Sequence, residues 1–274
     1  MKNFLWIALT AVLLIALITL ILYFTVFKKG TFKENYDETR IINGENYRLT
    51  FYDDFDKFDK RKWKCCPEWE RGNIGGHWRD SQVHVENGCL ILTTGVDEKN
   101  RPITGAVHTQ GKFAQAKGYF ECRCQVQKNS GLWTAFWLMC PEVSKVGNGA
   151  KDGAEIDIME SYDAQKHMIN HAIHWDGYGK DHKSLTKGVH SDAAYEGFHT
   201  YALLWTDTAY IFYIDGEETF RTEEGDDNYP GCCEAATYLV LSVEAGTWAG
   251  VFFPTQFPED SMIVDYVKVY QKCD

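Results

Sequence analysis

Beyond residue 50 the chain repeats one pattern, in which short apolar and aromatic runs end at turn residues. In residues 118–127, GYFECRCQVQ, every second residue is apolar or cysteine, which is typical of a half-buried antiparallel strand. Residues 209–222 carry Asp215-Gly216 between two strand-like runs, the pair that a type I′ hairpin turn prefers. Further strands are predicted at residues 88–94, 237–246 and 263–271. No long stretch has helical periodicity, so the pattern predicts an all-β domain built as a two-sheet sandwich or barrel.

The N-terminal region has a different character. No charged residue occurs from Phe4 to Phe27, and lysines flank this run at Lys2 and at residues 28–29. About 20 apolar residues suffice to span a bilayer as a helix, whereas the apolar region of a signal peptide is shorter and ends at a small-residue cleavage site. We therefore predict that residues 1–33 form a transmembrane anchor and linker, with a cleaved signal peptide as the alternative. The flanking charges do not determine the orientation.

Residues 34–274 are long enough for one large all-β domain. The net charge of −11 and the lack of a basic stripe exclude nucleic acid as a partner. Aromatic residues make up 15% of the chain, enough to supply both a core and flat platforms for ligands.

The nine cysteines do not have the spacing of a zinc site. Cys122 and Cys124 are two residues apart in a predicted strand and would share its core face. The vicinal pairs at residues 65–66 and 232–233 could form cross-links, but we expect free, buried thiols.

Residues 155–160 read EIDIME, and their three acids break the two-residue period of a strand. Glu155 and Asp157 face one way, whereas strict alternation would place Glu160 in the core, where a carboxylate is costly. A β-bulge at residues 158–159 would return Glu160 to the side of the other two acids. The sequence therefore predicts a bulged strand with three carboxylates on one face.

The spacing of these acids favours catalysis. With the bulge, the backbones of Glu155 and Glu160 lie about 13 Å apart at ~3.3 Å per strand step, and side chains that lean together close much of that gap. The remainder is compatible with the about 5–5.5 Å of a retaining glycosidase, rather than the about 6.5–9.5 Å of an inverting one. Clustered carboxylates also keep one acid protonated at neutral pH. The alternatives are a calcium site or a solvated edge strand, which would not need the flanking apolar residues 156, 158 and 159.

Aromatic and histidine side chains flank the acids along the chain. Trp133 and Trp137 precede them and would share one face of a strand, and His174 and Trp175 follow them. Pyranose rings present flat C–H faces that stack on indole rings. We expect these residues to line a sugar-binding cleft, and the alternative for each tryptophan is a place in the core.

On these residues the chain resembles glycoside hydrolase family 16, the laminarinase and lichenase relatives. EIDIME is similar to the bulged form of the family's signature, and GLWTAFWLM at residues 131–139 resembles the Trp-rich strand before it. Further resemblance lies in the opening strand FYDDFDKFDKRKW, in residues 198–217 and in the closing strand at residues 264–271. The resemblance covers roughly residues 52–271.

The resemblance implies a β-jelly roll of two curved antiparallel sheets and hydrolysis by double displacement with retention. It implies that Glu155 is the nucleophile, that Glu160 is the general acid and then the base, and that Asp157 tunes their charge. No cofactor is required. Many relatives bind a structural calcium ion through an acid of the closing strand, here Asp265.

Two segments depart from the family's pattern. Residues 73–88, NIGGHWRDSQVHVENG, replace an Asn/Glu- and Tyr-rich stretch and offer Trp78 and Arg79 instead. Residues 244–252, EAGTWAGVF, keep Trp248 of a Gly-Asn-Trp-Pro-type loop without its Asn and Pro. Because these loops line the family's cleft, the substrate stays open. The bulged motif favours β-1,3-glucan or mixed β-1,3/1,4-glucan over a galactan.

The sequence thus predicts a monomeric, endo-acting retaining β-glycosidase on the cell membrane with its catalytic domain, residues 34–274, outside the cell. A secreted enzyme is the alternative if the apolar segment is cleaved. A transglycosylase would use the same two glutamates. A non-catalytic lectin on the same fold would not need all three acids, which argues against that alternative.

Overall fold

The computed structural model describes residues 38–67, 76–163, 166–246 and 260–273, all within one compact unit, residues 36–274. No helix in these described ranges is long and apolar enough to cross a membrane. The predicted anchor at residues 1–33 lies outside the described residues and stays a prediction.

The described residues form eighteen strands and three short 3-10 helices. The strands are β1 Thr39–Ile42, β2 Glu45–Asp53, β3 Lys64–Cys65, β4 His77–Trp78, β5 Val83–Glu86, β6 Cys89–Val96, β7 Pro102–Thr104, β8 Ala106–His108, β9 Gly118–Gln125, β10 Leu132–Met139, β11 Glu155–Asp163, β12 Met168–Trp175, β13 Lys183–His190, β14 His199–Trp205, β15 Ala209–Ile214, β16 Glu217–Glu223, β17 Tyr238–Ala245 and β18 Ser261–Lys272. The 3-10 helices are Asp80–Gln82, Pro141–Ser144 and Ala193–Tyr195.

These strands form two sheets, as the alternating pattern predicts. In the described part of the chain, the seven-stranded sheet has the order β13-β12-β11-β10-β17-β8-β3. The eleven-stranded sheet has the order β16-β15-β14-β9-β18-β6-β7-β4, with β1 and β2 added beside β18 and β5 beside β6. The pairing is antiparallel except at one edge, where the two-residue strand β4 runs parallel to β7. The prediction of purely antiparallel sheets is therefore wrong at that edge.

The main core lies between the sheets. Phe120, Cys122 and Cys124 of β9 face it from the eleven-stranded sheet, and Ile156 and Ile158 of β11 face it from the seven-stranded sheet. Apolar side chains on these inner faces hold the two layers together, since burial removes them from water. The shared core face of Cys122 and Cys124 confirms the prediction from their spacing.

The outer face of β9 is also buried, which corrects the prediction of a half-buried strand. Tyr119 belongs to a second apolar cluster on that face, and Glu121 is only 6% exposed. The Glu121 carboxylate accepts hydrogen bonds from Arg40 at 2.9 Å, from Tyr119 at 3.1 Å and from Tyr266 at 3.0 Å. The residues before β2 and the tyrosines of neighbouring strands cover a face that alternation alone assigns to solvent.

Two local predictions can be compared with the backbone. Asp215 and Gly216 have φ values of 51° and 84° between β15 and β16, as a type I′ turn requires, which confirms the hairpin. The predicted opening strand is too long, because β2 ends at Asp53. The Asp53 carboxylate accepts hydrogen bonds from the Phe55 backbone at 2.9 Å and from the Trp63 indole at 3.0 Å, so it stabilises a turn there.

All nine cysteines are free thiols. Six of them are buried, and Cys65, Cys89 and Cys273 are half-buried. The vicinal pairs are not cross-linked in the structure.

Candidate active site

Strand β11 contains the predicted bulge. Asp157 pairs with Ala172 of β12 and Glu160 pairs with Asn170, so residues 158–159 stand opposite the single residue His171. Ile158 and Met159 are fully buried, so the extra residue is absorbed on the core side. Glu160 therefore lies on the same face of the sheet as the other two acids, as the broken period predicts.

The imidazole of His171 stabilises the bulge from the next strand. Its Nδ1 lies 2.7 Å from the Ile158 carbonyl oxygen, and its Nε2 lies 2.9 Å from the Thr219 hydroxyl of β16. His171 is fully buried, and burial lowers its pKa to about 4, so the ring is neutral at pH 7. A neutral ring that donates from Nδ1 supplies a hydrogen-bond partner to the Ile158 carbonyl at the bulge.

The acids lie in a cleft of about 920 Å³ on the face of the seven-stranded sheet that is opposite the core. Strands β8, β10, β11, β12 and β17 contribute to it. The described residues that line it are Cys66, Pro67, Trp78, His108, Gln110, Trp133, Ala135, Trp137, Met139, Glu155, Asp157, Glu160, His174, Tyr178, His182, Tyr238, Val240, Ser242 and Glu244.

Trp133 and Trp137 lie on the cleft face of β10, which confirms that their spacing places them together. The indole Nε1 of Trp137 donates to the Ser242 hydroxyl of β17 at 3.1 Å, and this bond fixes the plane of the ring. The flat faces of these indoles suit the C–H faces of a pyranose.

Each acid has a specific polar neighbour. The Asn170 amide donates to Glu160 Oε2 at 2.9 Å, and the Tyr178 hydroxyl donates to Glu155 Oε2 at 2.5 Å. His174 Nε2 lies 3.3 Å from Asp157 Oδ2, although this oxygen has no aligned hydrogen bond. The three acids thus differ in environment, as separate chemical roles require.

His174 extends the polar cluster away from the acids. Its Nδ1 lies 3.0 Å from His182 Nε2, and the two rings stack with centroids 5.2 Å apart. Burial and the neighbouring His174 lower the pKa of His182.

Burial controls the protonation of the acids. It raises the pKa of Asp157 to about 8. Burial raises the pKa of Glu160 well above its usual range, and the nearby charge of Asp157 raises it further. The cluster therefore retains protons at neutral pH, which is the property that a general acid needs.

The same cluster has donors that could hold a metal ion. Ligand atoms of Glu155, Asp157 and His174 lie within 4.8 Å of one another. A second such group in the described residues consists of His167, His190 and Asp192, outside the cleft.

Only some of the predicted substrate-binding residues line the cleft. Trp78 and His174 line the cleft as predicted, whereas Arg79 is not part of its lining. Trp175 is a correction, because it lies on the core side of β12 and is 9% exposed. Consecutive residues of a strand point to opposite faces, so His174 and Trp175 cannot both face the acids. Trp248 lies outside the described residues.

Asp265, the predicted calcium ligand, is paired with an arginine. Its Oδ2 forms an ion pair with Arg123 at 2.8 Å. A guanidinium at that distance competes with a cation for the carboxylate. The calcium site at Asp265 stays a prediction.

Sequence reasoning missed several cleft residues. Tyr178 and His182 lie between β12 and β13, and their position after the strand that pairs with acidic β11 was the available signal. Asn170 could be placed only from the register across the bulge. His108 and Tyr238 had no local signal, because β17 reaches the cleft by long-range pairing with β10, and β8 by pairing with β17.

Comparison with known proteins agrees with this geometry. A family model described as beta-porphyranase A-D, GH16 domain, matches residues 48–272. The endo-1,3-1,4-beta-glycanase ExsH of Rhizobium meliloti strain 1021 is 28% identical over 198 residues, which are 68% of this chain and 39% of that protein. A beta-glucanase of Rhodothermus marinus is 25% identical over 258 residues, covering 82% of this chain and 86% of the relative.

Among solved structures, the laminarinase from Flavobacterium sp. UMI-01 matches with a TM-score of 0.67 and 26% identity, covering 81% of this chain and 100% of that one. The chain spans about two fifths of the length of ExsH. The common fold is the all-β jelly-roll sandwich. Because the family model spans most of the chain, this protein belongs to glycoside hydrolase family 16.

Proposed function

We propose that this protein is a retaining, endo-acting β-glycosidase that hydrolyses β-1,3-glucan or mixed β-1,3/1,4-glucan. The observation that carries the proposal is the bulged strand β11, which directs Glu155, Asp157 and Glu160 into one cleft beside Trp133 and Trp137. Two carboxyl groups and a stacking surface are what hydrolysis of a glycosidic bond requires.

In the proposed mechanism the Glu155 carboxylate attacks the anomeric carbon while the Glu160 carboxylic acid protonates the departing glycosidic oxygen. The bond to the leaving sugar breaks and a glycosyl ester forms on Glu155. Glu160, now a carboxylate, then takes a proton from water, whose oxygen attacks the anomeric carbon and releases Glu155. Two displacements at one carbon give net retention.

Asp157 and Tyr178 assist this cycle. Where Asp157 is ionised, its charge favours the protonated form of Glu160 before the first displacement. Tyr178 donates a hydrogen bond to Glu155 Oε2 and so holds the nucleophile in place. The proposed chemistry requires no cofactor.

The charge of the cleft supports a neutral substrate. The described lining residues include three acids of β11 and Glu244 but no lysine or arginine. An anionic polysaccharide would find no permanent positive charge among them. The name of the beta-glucanase of Rhodothermus marinus agrees with a glucan.

A galactan hydrolase is the second candidate, because the matching family model carries the name beta-porphyranase. A transglycosylase would share the glycosyl-enzyme intermediate and differ in the acceptor.

We propose further that residues 1–33 anchor the protein in the cell membrane with its catalytic domain outside, since residues 4–27 carry no charge.

The test is product release by the purified full-length chain from β-1,3-glucan, mixed-linkage glucan and galactan. We expect oligosaccharides from a glucan, loss of about 10³-fold or more in kcat for Glu155→Gln and Glu160→Gln, and no loss for Glu217→Gln on the exposed hairpin.

Proton NMR of the first products should show the β anomer. Binding without release in all variants would leave a lectin, and release from galactan alone would identify the second candidate. Longer products after addition of oligosaccharide acceptors would indicate a transglycosylase.

A further inference from the structure

A histidine and aspartate cluster lies at the end of strands β12 and β13, outside the cleft lining. It consists of His167, just before β12, His190, the last residue of β13, and Asp192, two residues later. One nitrogen of each imidazole and a carboxylate oxygen lie within 4.8 Å of one another. The mechanism proposed for the cleft uses none of these residues.

The distances between the donors are close to those of a tetrahedral metal site. The His167 Nδ1 to Asp192 Oδ1 distance is 2.7 Å, and the His190 Nε2 to Asp192 Oδ1 distance is 3.5 Å. Ligand bonds of about 2.0–2.2 Å around a tetrahedral zinc ion place neighbouring donors roughly 3.3–3.5 Å apart. All three donor atoms lie within 4.8 Å of one another on exposed side chains, which can rotate towards that spacing.

The backbone and one buried ring hold the cluster in position. His190 pairs with Met168 across the two strands, and the Ser191 amide donates to the His167 carbonyl at 2.9 Å. The Tyr195 ring, only 4% exposed, stacks on His167 with centroids 5.4 Å apart, and its hydroxyl donates to the Met168 carbonyl at 2.7 Å. The ring of His167 therefore has a supported orientation before any ion arrives.

The donor set selects the chemical class of the ion. Two imidazole nitrogens and one carboxylate suit zinc and neighbouring first-row transition metals, whereas calcium prefers oxygen ligands alone. The side chains are 41%, 61% and 80% exposed for His167, His190 and Asp192, so an ion can enter from solvent. Three protein ligands leave a fourth position for water.

We propose that His167, His190 and Asp192 form a surface site for a divalent transition-metal ion of the zinc class. On binding, the ion replaces the hydrogen bond between His167 Nδ1 and Asp192, and the ring proton of His167 moves to Nε2. The ion then joins the start of β12 to the end of β13. Since β13 is the edge of the seven-stranded sheet and has no fully buried residue, binding stabilises that edge.

The test is calorimetric titration of Zn²⁺ into the chelator-treated, purified full-length chain. The acids and histidine of the cleft could bind a second ion, so the titration is repeated in Glu155→Gln. We expect one site that persists in Glu155→Gln and weakens by about tenfold or more in His167→Gln, His190→Gln and Asp192→Asn. His84→Gln, which removes an exposed histidine on β5, is the matched control and should bind as the unmodified chain does.

Hydrogen exchange gives an independent measurement of position. Saturating Zn²⁺ should slow amide exchange at residues 167–168 and 189–192, and should raise the melting temperature of the unmodified chain but not of His190→Gln. Absence of saturable binding would overturn the proposal. Equal affinity in the three ligand variants, or loss of the only site in Glu155→Gln, would also overturn it.

Discussion

Asp157 is the residue on which the protonation of the candidate site depends. This residue is 4% exposed and lies between the two glutamates along β11. Its Oδ2 lies 3.3 Å from His174 Nε2. Burial favours its neutral form, and any charge that it carries opposes ionisation of Glu160. One buried carboxyl group therefore affects the acid that must donate the proton.

Asp157→Asn should move the alkaline limb of the kcat/KM profile to lower pH. Asp157 ionises near its pKa of about 8, and its charge then raises the pKa of Glu160, so without that charge Glu160 loses its proton at lower pH. The measurement is kcat/KM on the productive glucan across the pH range. An aryl glycoside with a good leaving group needs less proton donation, so the variant should lose less activity on it than on the glucan. An alkaline limb that does not move would contradict this role of Asp157.

Tyr178→Phe should lower kcat by about tenfold with little change in KM. The hydroxyl bonds Glu155 Oε2 at 2.5 Å, and a hydrogen bond to a charged group contributes about 1.5–3 kcal/mol, reduced here because Tyr178 is 57% exposed. Tyr213→Phe, on the hairpin, is the control and should have normal kinetics. A rise in KM at constant kcat would show that Tyr178 binds substrate and does not position the nucleophile.

At the scale of single elements, the bulge of β11 brings the three acids of the site onto one face of the sheet. It needs apolar space for Ile158 and Met159 on the core side and a partner for the Ile158 carbonyl. His171 supplies that partner and connects β12 to Thr219 of β16, in the other sheet. The catalytic face of one sheet is thus linked by a hydrogen bond to the opposite layer.

Stability should depend on His171 between about pH 6.5 and pH 4. Its folded pKa of about 4 is below the unfolded value, so the unfolded chain binds a proton first as the pH falls. The stability that neutral His171 contributes is present above about pH 6.5 and is lost as the pH falls towards 4, by about 3 kcal/mol at most.

The comparison variant is His171→Asn, whose amide can donate to the Ile158 carbonyl but does not titrate. Urea unfolding at several pH values should show the unmodified chain losing stability faster than the variant as the pH falls from 6.5 to 4. A stability difference between the two chains that stays constant over this range would refute the assignment.

For the molecule as a whole, the net charge and the composition of the cleft both disfavour an anionic substrate. The chain carries a net charge of −11, and its described cleft lining has acids without lysine or arginine. Polyanions therefore meet a repulsive field, whereas uncharged polysaccharides bind through stacking and hydrogen bonds.

A carboxymethylated β-glucan should be degraded about tenfold more slowly than the neutral polymer at low salt. The difference should narrow as NaCl rises from about 0.05 M to about 0.5 M, since salt screens the repulsion. Rates on the neutral polymer should change little over the same range. Faster turnover of the anionic polymer, with inhibition by salt, would contradict the neutral-substrate assignment.

Local patterns in the sequence were sufficient for the all-β class, the Asp215-Gly216 hairpin, the bulge in β11 and the common face of Trp133 and Trp137. Each of these depends on strand periodicity or turn chemistry within a few residues. The same rule of alternation, applied to β12, would have excluded Trp175 from the cleft.

Tertiary structure alone decided which distant side chains surround the acids and which outer surfaces are covered. His108 and Tyr238 enter the cleft because β17 pairs with β10 and β8 pairs with β17, and Glu121 is buried because Arg40 and the outer tyrosines cover it. Strand order follows from how apolar faces pack across the whole sandwich. That packing joins residues far apart in the chain, so no local pattern could predict these neighbours.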